Sequence, residues 1–173
     1  LILLETKVTA APAYGVNASG LMVVEKTITK PDGFSFVTLK HGVQLRIGAQ
    51  VRNVMFYGPG IVRVNTTLGK VHTVQPSLTV VAKPPAPDFQ IEDEASKLRI
   101  TSAELLIDID KKSGSLTFLR PDGSVITRER ADQPVEIKEL TISDAPTYEV
   151  KQGFTLGTNE SLYGLGQYDQ RYM

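Results

Sequence analysis

The sequence has no cysteine and no tryptophan. Without cysteine there is no disulfide, no thiol nucleophile and no cysteine-ligated zinc. Aromatic residues make up only 7% of the chain. Sugar-binding modules stack pyranose rings on exposed aromatic faces, so a dedicated module of that kind is disfavoured, although tyrosine can take the place of tryptophan. Neither sign of charge is in excess: 19 basic and 19 acidic residues give a formal net charge of +0. That argues against a nucleic-acid binder, whose phosphate contacts need a basic surplus. Long apolar runs are also missing, and none approaches the ~18 residues of a membrane helix. Leu1-Ile2-Leu3-Leu4 is short, has no basic region before it, and reads as a first strand or a chain edge.

What is present is a β grammar. At 173 residues, 41% hydrophobic and with a mean hydropathy of -0.08, the chain is long enough for one sizeable core. Val43-Gln44-Leu45-Arg46-Ile47 alternates cleanly. Leu105, Ile107 and Ile109 share one face of a run, as do Leu98 with Ile100 and Leu116 with Phe118. Ile61 to Asn65 and Leu78 to Val81 are further runs rich in β-branched residues. The signals add up to roughly a dozen strands. Pro31-Asp32-Gly33 and Pro121-Asp122-Gly123 read as turns, with Pro setting φ and Gly accepting φ > 0. Lys112-Ser113-Gly114 and Gly58-Pro59-Gly60 break the chain in the same way, and Glu92 to Lys97 reads as a charged hairpin tip. No window holds a helical period. The expected fold is all-β, an antiparallel β-sandwich of two packed sheets. Residues 1–20 are expected to be a lead-in and residues 21–173 the sandwich. Lys83-Pro84-Pro85-Ala86-Pro87 is expected to be a stiff crossover within it, since three prolines cannot sit inside a sheet.

The chemistry-bearing residues are sparse. His41 and His72 have no second ligand at metal spacing, so no metal site is expected, and surface positions are expected for both. Glycoside hydrolysis needs two carboxyl groups across a pocket, one protonated and one ionised. Asp108 and Asp110 lie on the face opposite Ile107 and Ile109, which is the pattern of a solvated outer face. Serines have no nucleophile-elbow context. Gly164-x-Gly166 lacks the following helix that a phosphate site requires. Asn17, Asn65 and Asn159 each open a glycosylation sequon.

The last segment is the most specific. Phe154-x-Leu156 precedes Asn159-Glu160-Ser161-Leu162-Tyr163-Gly164-Leu165-Gly166-Gln167, and Tyr163, Tyr168 and Tyr172 cluster there. Such rings are rarely left open, so further protein is expected to follow or pack against them. This motif resembles the segment closing the N-terminal β-sandwich of glycoside hydrolase family 31, which includes α-glucosidases and α-xylosidases. Val54-Met55-Phe56-Tyr57 leading to Ile61-Val62-Arg63-Val64, and the runs from Ile100 to Ile109 and from Gly114 to Gly123, are similar to that domain's earlier strands. Gln167 after the second glycine is a little more like the α-xylosidase side. The resemblance implies a galactose-mutarotase-like supersandwich packed beside a catalytic (β/α)8 barrel in the same polypeptide. It implies a retaining hydrolase acting on α-xylosides or α-glucosides in oligo- or polysaccharides, with no cofactor. The family's catalytic aspartates lie on the barrel, one within a tryptophan-containing motif, so no catalytic residue is assigned within 1–173 and no substrate-binding residue is named. The chain alone is expected to be inactive. Export to a periplasm or beyond the cell is expected by analogy only. The rival reading is a stand-alone carbohydrate-binding or structural sandwich.

Overall fold

The computed structural model describes residues 2–6, 27–29, 33–68, 88–143 and 145–161, with the backbone alone at 2–6, 27–29 and 145–146. The described residues form strands and no helix, so no helix among them is long and apolar enough to cross a membrane. In chain order the strands are β1 (Ile2–Thr6), β2 (Thr27–Thr29), β3 (Phe34–Leu39), β4 (Gly42–Ile47), β5 (Gln50–Gly58), β6 (Ile61–Leu68) and β7 (Gln90–Asp93). There follow β8 (Lys97–Thr101), β9 (Leu106–Asp110), β10 (Leu116–Leu119), β11 (Val125–Glu129), β12 (Val135–Ile142), β13 (Ala145–Gln152) and β14 (Phe154–Thr155).

Two sheets of six strands result, ordered β1-β6-β5-β4-β3-β2 and β14-β11-β10-β9-β8-β7. Pairing is antiparallel throughout except at one edge. There β1 runs parallel to β6, with Ile2 opposite Val62 and Thr6 opposite Thr66. The stretch expected as a lead-in therefore begins with a strand of the first sheet. The expected strand at Leu78–Val81, the Lys83–Pro87 crossover, His72, Asn17 and the segment from Leu162 onward all lie outside the described residues.

Alternation builds the core. Val43 and Leu45 of β4, Val54 and Phe56 of β5, and Val62 and Val64 of β6 face Leu98 and Ile100 of β8, Ile107 and Ile109 of β9, and Leu116 and Phe118 of β10. All are fully or nearly fully buried. Register fixes which residue meets which: Val43 opposes Val54, and Val54 opposes Val64. A one-residue slip would turn every one of these side chains outward. The expected turns within the described residues lie where the sequence signals put them, while Pro31 and Asp32 lie outside those residues. Gly58-Pro59-Gly60 turns β5 into β6 just after a bulge at Tyr57, and Gly123 takes φ +84° in the β10–β11 turn. Gly42 has a different reason to be glycine. A Cβ there would lie 1.9 Å from the Val54 carbonyl oxygen.

The third sheet is a long hairpin of β12 and β13 alone. One face carries cross-strand opposite charges, Glu136 against Lys151 and Lys138 against Glu149. The other carries Val135, Ile137, Tyr148 and Val150. Only its base joins the sandwich, through the buried Val135 and a bond from Gln50 Nε2 to the Val135 carbonyl at 3.1 Å.

Candidate functional site

Asp108 and Asp110 are the carboxylates with a claim to chemistry, and both are committed elsewhere. Asp108 receives both Nε and Nη2 of Arg99, at 2.7 and 2.8 Å, and Lys97 Nζ at 3.3 Å. The Arg99 hydrogen bonds hold the Asp108 carboxyl below its ordinary value, outweighing partial burial, and Asp108 in turn raises Arg99. Asp110 folds back on its own turn. Its Oδ1 accepts from the Ser113 backbone N–H at 2.6 Å, the Ser113 hydroxyl at 2.7 Å and the Lys112 N–H at 3.1 Å. Partial burial pushes Asp110 up, but these hydrogen bonds together bring it below the ordinary carboxylate value. A glycosidase pair needs one carboxyl kept protonated near neutral pH. Here both are held ionised, so the pair serves the outer face, as the alternation implied.

The Glu92–Lys97 tip is the hairpin turn between β7 and β8. Lys111 is buried beneath it, and its ammonium donates to the Asp93 carboxylate and the Glu94 carbonyl. His41 corrects the expectation of a surface histidine. It is only 8% exposed. It occupies the tight β3–β4 turn, and its carbonyl accepts the Phe56 N–H of the adjoining strand β5 at 2.7 Å. Among the described residues no group of three or more His, Asp or Glu side chains could hold a metal ion. Of the sequons, Asn65 is buried in β6 and Asn159 lies in an exposed turn. In that turn Glu160 closes its own loop: its Oε2 accepts the Gly157 N–H at 2.9 Å.

Sequence reasoning missed the strongest polar feature. Arg52 is 1% exposed and lies between the two sheets. Its Nη1 and Nη2 grip Glu129 at 2.9 and 2.6 Å, Nη1 also donates to the Gly114 carbonyl at 2.7 Å, and Nε donates to Thr66 Oγ1 at 3.2 Å. Glu129 further accepts the Leu116 N–H and the Gln152 amide, each at 2.9 Å. The signal was available in the alternation, since Arg52 has the same parity as Val54 and Phe56. This network lies in the packed interior and opens onto no cleft, so it joins β5, β10, β11 and β13 rather than meeting a substrate.

The remaining surface feature is apolar. Ile142 is 61% and Leu156 50% exposed, and Leu140, Val150 and Phe154 are also uncovered. They follow the hairpin and the β14 edge.

The comparisons accord with this scaffold. The family model for the glycosyl hydrolase 31 N-terminal galactose-mutarotase-like domain matches residues 52–170. Among solved structures, an α-xylosidase of glycoside hydrolase family 31 from Xanthomonas citri is similar with a TM-score of 0.57 at 18% identity. The match covers 76% of this chain and 14% of that one, and at this identity the likeness is one of fold. No curated protein matches the chain.

Proposed function

The chain belongs to the N-terminal galactose-mutarotase-like domains of glycosyl hydrolase 31, and on that premise we propose that it is the non-catalytic sandwich of a retaining α-glycosidase. The substrates are α-xylosides or α-glucosides in oligo- or polysaccharides. The catalytic carboxylates lie on a (β/α)8 barrel of the same polypeptide, with one attacking the anomeric carbon and one protonating the leaving oxygen. The boundary near residue 20 belongs to the same proposal, with β1 drawn back into the sheet.

One observation carries the reading beyond family membership. Asp108 and Asp110 are both held ionised by local partners, so this pair does not supply the protonated acid that glycoside hydrolysis needs. The exposed apolar residues along the hairpin and the β14 edge support a second role, contact with further protein. The test is hydrolysis of p-nitrophenyl α-xyloside and α-glucoside by this chain and by the complete polypeptide. Turnover with retained configuration by the complete polypeptide, and none by residues 1–173, is expected. Turnover by the chain alone, or a reading frame that stops shortly after Met173, would overturn the proposal.

A further inference from the structure

Most charged side chains on the second sheet and the hairpin are engaged with one another. Arg99 and Lys97 hold Asp108, Arg130 holds Asp132, Lys138 holds Glu136 and Lys151 holds Glu149. One groove departs from that pattern. It lies between the β3–β4 turn of the first sheet and the edge strand β7 of the second, with the end of β8 as its third wall, and is open to solvent with a volume of about 760 Å³. That volume falls within the ~300–1,000 Å³ of small-molecule sites.

Besides Ser102, whose hydroxyl is committed to the Pro59 and Leu105 carbonyls, five polar side chains line it: Thr38, Lys40, Asp88, Gln90 and Thr101. None of the five has a side-chain hydrogen bond or ion pair with another described residue. They come from three separate stretches of chain, and only Gln90 and Thr101 are ladder neighbours. Beside them stands Phe89, partly buried and stacked on Phe56 of the core, with ring centroids 5.6 Å apart and planes 15° apart. The Phe56 backing makes that ring a fixed wall.

The chemistry of the set selects a ligand class. One cation and one anion leave the groove with no net charge, so a polyanion meets Asp88 and a polycation meets Lys40 unfavourably. The rest are hydroxyls and an amide, each both donor and acceptor. A sugar offers the matching pattern, since every hydroxyl donates and accepts and a pyranose C–H face fits an aromatic wall. We infer that this groove of the sandwich binds a neutral oligosaccharide. The identity of that sugar as a piece of an α-xylosylated or α-linked glucan rests on the proposed function.

The test uses the complete polypeptide and a variant combining Lys40→Ala, Asp88→Ala and Gln90→Ala. All three residues are exposed, so the fold should persist. Native gels cast with soluble xyloglucan or with soluble starch read glycan affinity. Hydrolysis of p-nitrophenyl α-glycosides reads the catalytic centre. Glycan affinity should fall about tenfold or more, since tenfold is the equivalent of about one hydrogen bond to a charged group, while kcat/KM on the small substrates stays within about twofold. Equal retardation of variant and wild type, or no retardation of the wild type on either gel, overturns the inference. If the small substrates are hydrolysed in that event, the proposed function stands without it. Retardation lost in the variant with no hydrolysis by either protein upholds the groove and rejects the glycosidase reading.

Discussion

Removing one side of the Arg52–Glu129 pair should unfold most of the molecule's margin. Glu129→Leu strips the guanidinium of its counter-charge at a site where Arg52 is 1% exposed. It also orphans the Leu116 N–H. Breaking a buried pair from one side costs about 3–5 kcal/mol, against a total of roughly 5–15 kcal/mol for a typical domain. Arg52→Met leaves the carboxylate buried with only two neutral donors and should cost a similar amount. The double variant, Arg52→Met with Glu129→Leu, buries no charge. Its remaining penalties are the Leu116 N–H and the Gly114 carbonyl, which lose Glu129 and Arg52 in turn, at about 1–3 kcal/mol each and without the buried unpaired charge that either single variant adds to its own loss. The double should therefore be more stable than either single, and the cycle should show strong coupling. Urea unfolding followed by far-ultraviolet circular dichroism measures all four proteins. Single variants that each cost under about 1 kcal/mol, or costs that simply add in the double, would refute the view that the pair is a desolvated unit.

The other expectations concern smaller features. Gly42→Ala should cost about 3 kcal/mol or more, because the added Cβ meets the Val54 carbonyl at 1.9 Å in a ladder that cannot yield. Gly48→Ala has nothing within 4 Å and a φ of +56°, so its urea midpoint should reflect only about 1 kcal/mol of backbone strain. Asp108→Asn should cost ~1 kcal/mol at neutral pH, since the Arg99 pair is bidentate but partly exposed. Because the folded Asp108 carboxyl lies below its ordinary value of 3.8, this contribution is fully present above that value and is lost as pH falls through the depressed one. The stability difference between variant and parent should accordingly shrink in acid, and a difference that grew there would reverse the assigned sign. Ile142→Ser, at a side chain 61% exposed, should leave the unfolding midpoint of the chain within about 0.5 kcal/mol of the parent.

The parts of the fold that were legible are those governed by local rules. The period of two assigned Leu98, Ile100, Ile107, Ile109, Leu116 and Phe118 to the core because neighbouring side chains on a strand point to opposite faces. It assigned Asp108 and Asp110 to the outer face for the same reason. Turn chemistry located the breaks at Gly58–Gly60 and Pro121–Gly123. What stayed hidden depends on long-range partners. Arg52 could be seen to point inward, but its counter-ion is 77 residues away, and no local pattern pairs them. His41 was misjudged because a turn position suggests exposure, whereas this turn is hydrogen-bonded to the adjoining strand β5 and His41 is buried. The groove beside Phe89 is assembled from three distant stretches, each unremarkable in sequence. Family membership was legible through the Glu160–Gln167 motif, most of which lies outside the described residues. The match of the family model over residues 52–170 therefore bears on it more directly than geometry does.

The placement of Glu129 gives the ion pair a reach beyond the core. An isolated two-stranded ribbon is marginally stable at best, and β12–β13 has no third strand among the described residues. Its base is instead held at successive residues of one short stretch. Gln152 donates its amide to Glu129, the Gly153 carbonyl accepts the Arg130 N–H at 2.9 Å, and Phe154 pairs with Glu129 in the β11–β14 ladder. Gly153 is confined as well, since a Cβ there would approach the Gln133 carbonyl to 2.9 Å. The Glu129 carboxylate thus ties one sheet to the other and the hairpin to the sandwich, while its backbone pairs with the strand that leads toward Glu160. An apolar pair of equal volume could fill the interior at little cost in stability, but it would offer nothing to the Gln152 amide or to the Leu116 N–H. The direction in which the chain leaves β13 is in this way set by the packing of the core. Keeping a buried charge at Glu129 therefore fixes where β13 hands over to β14, which an apolar pair would not do.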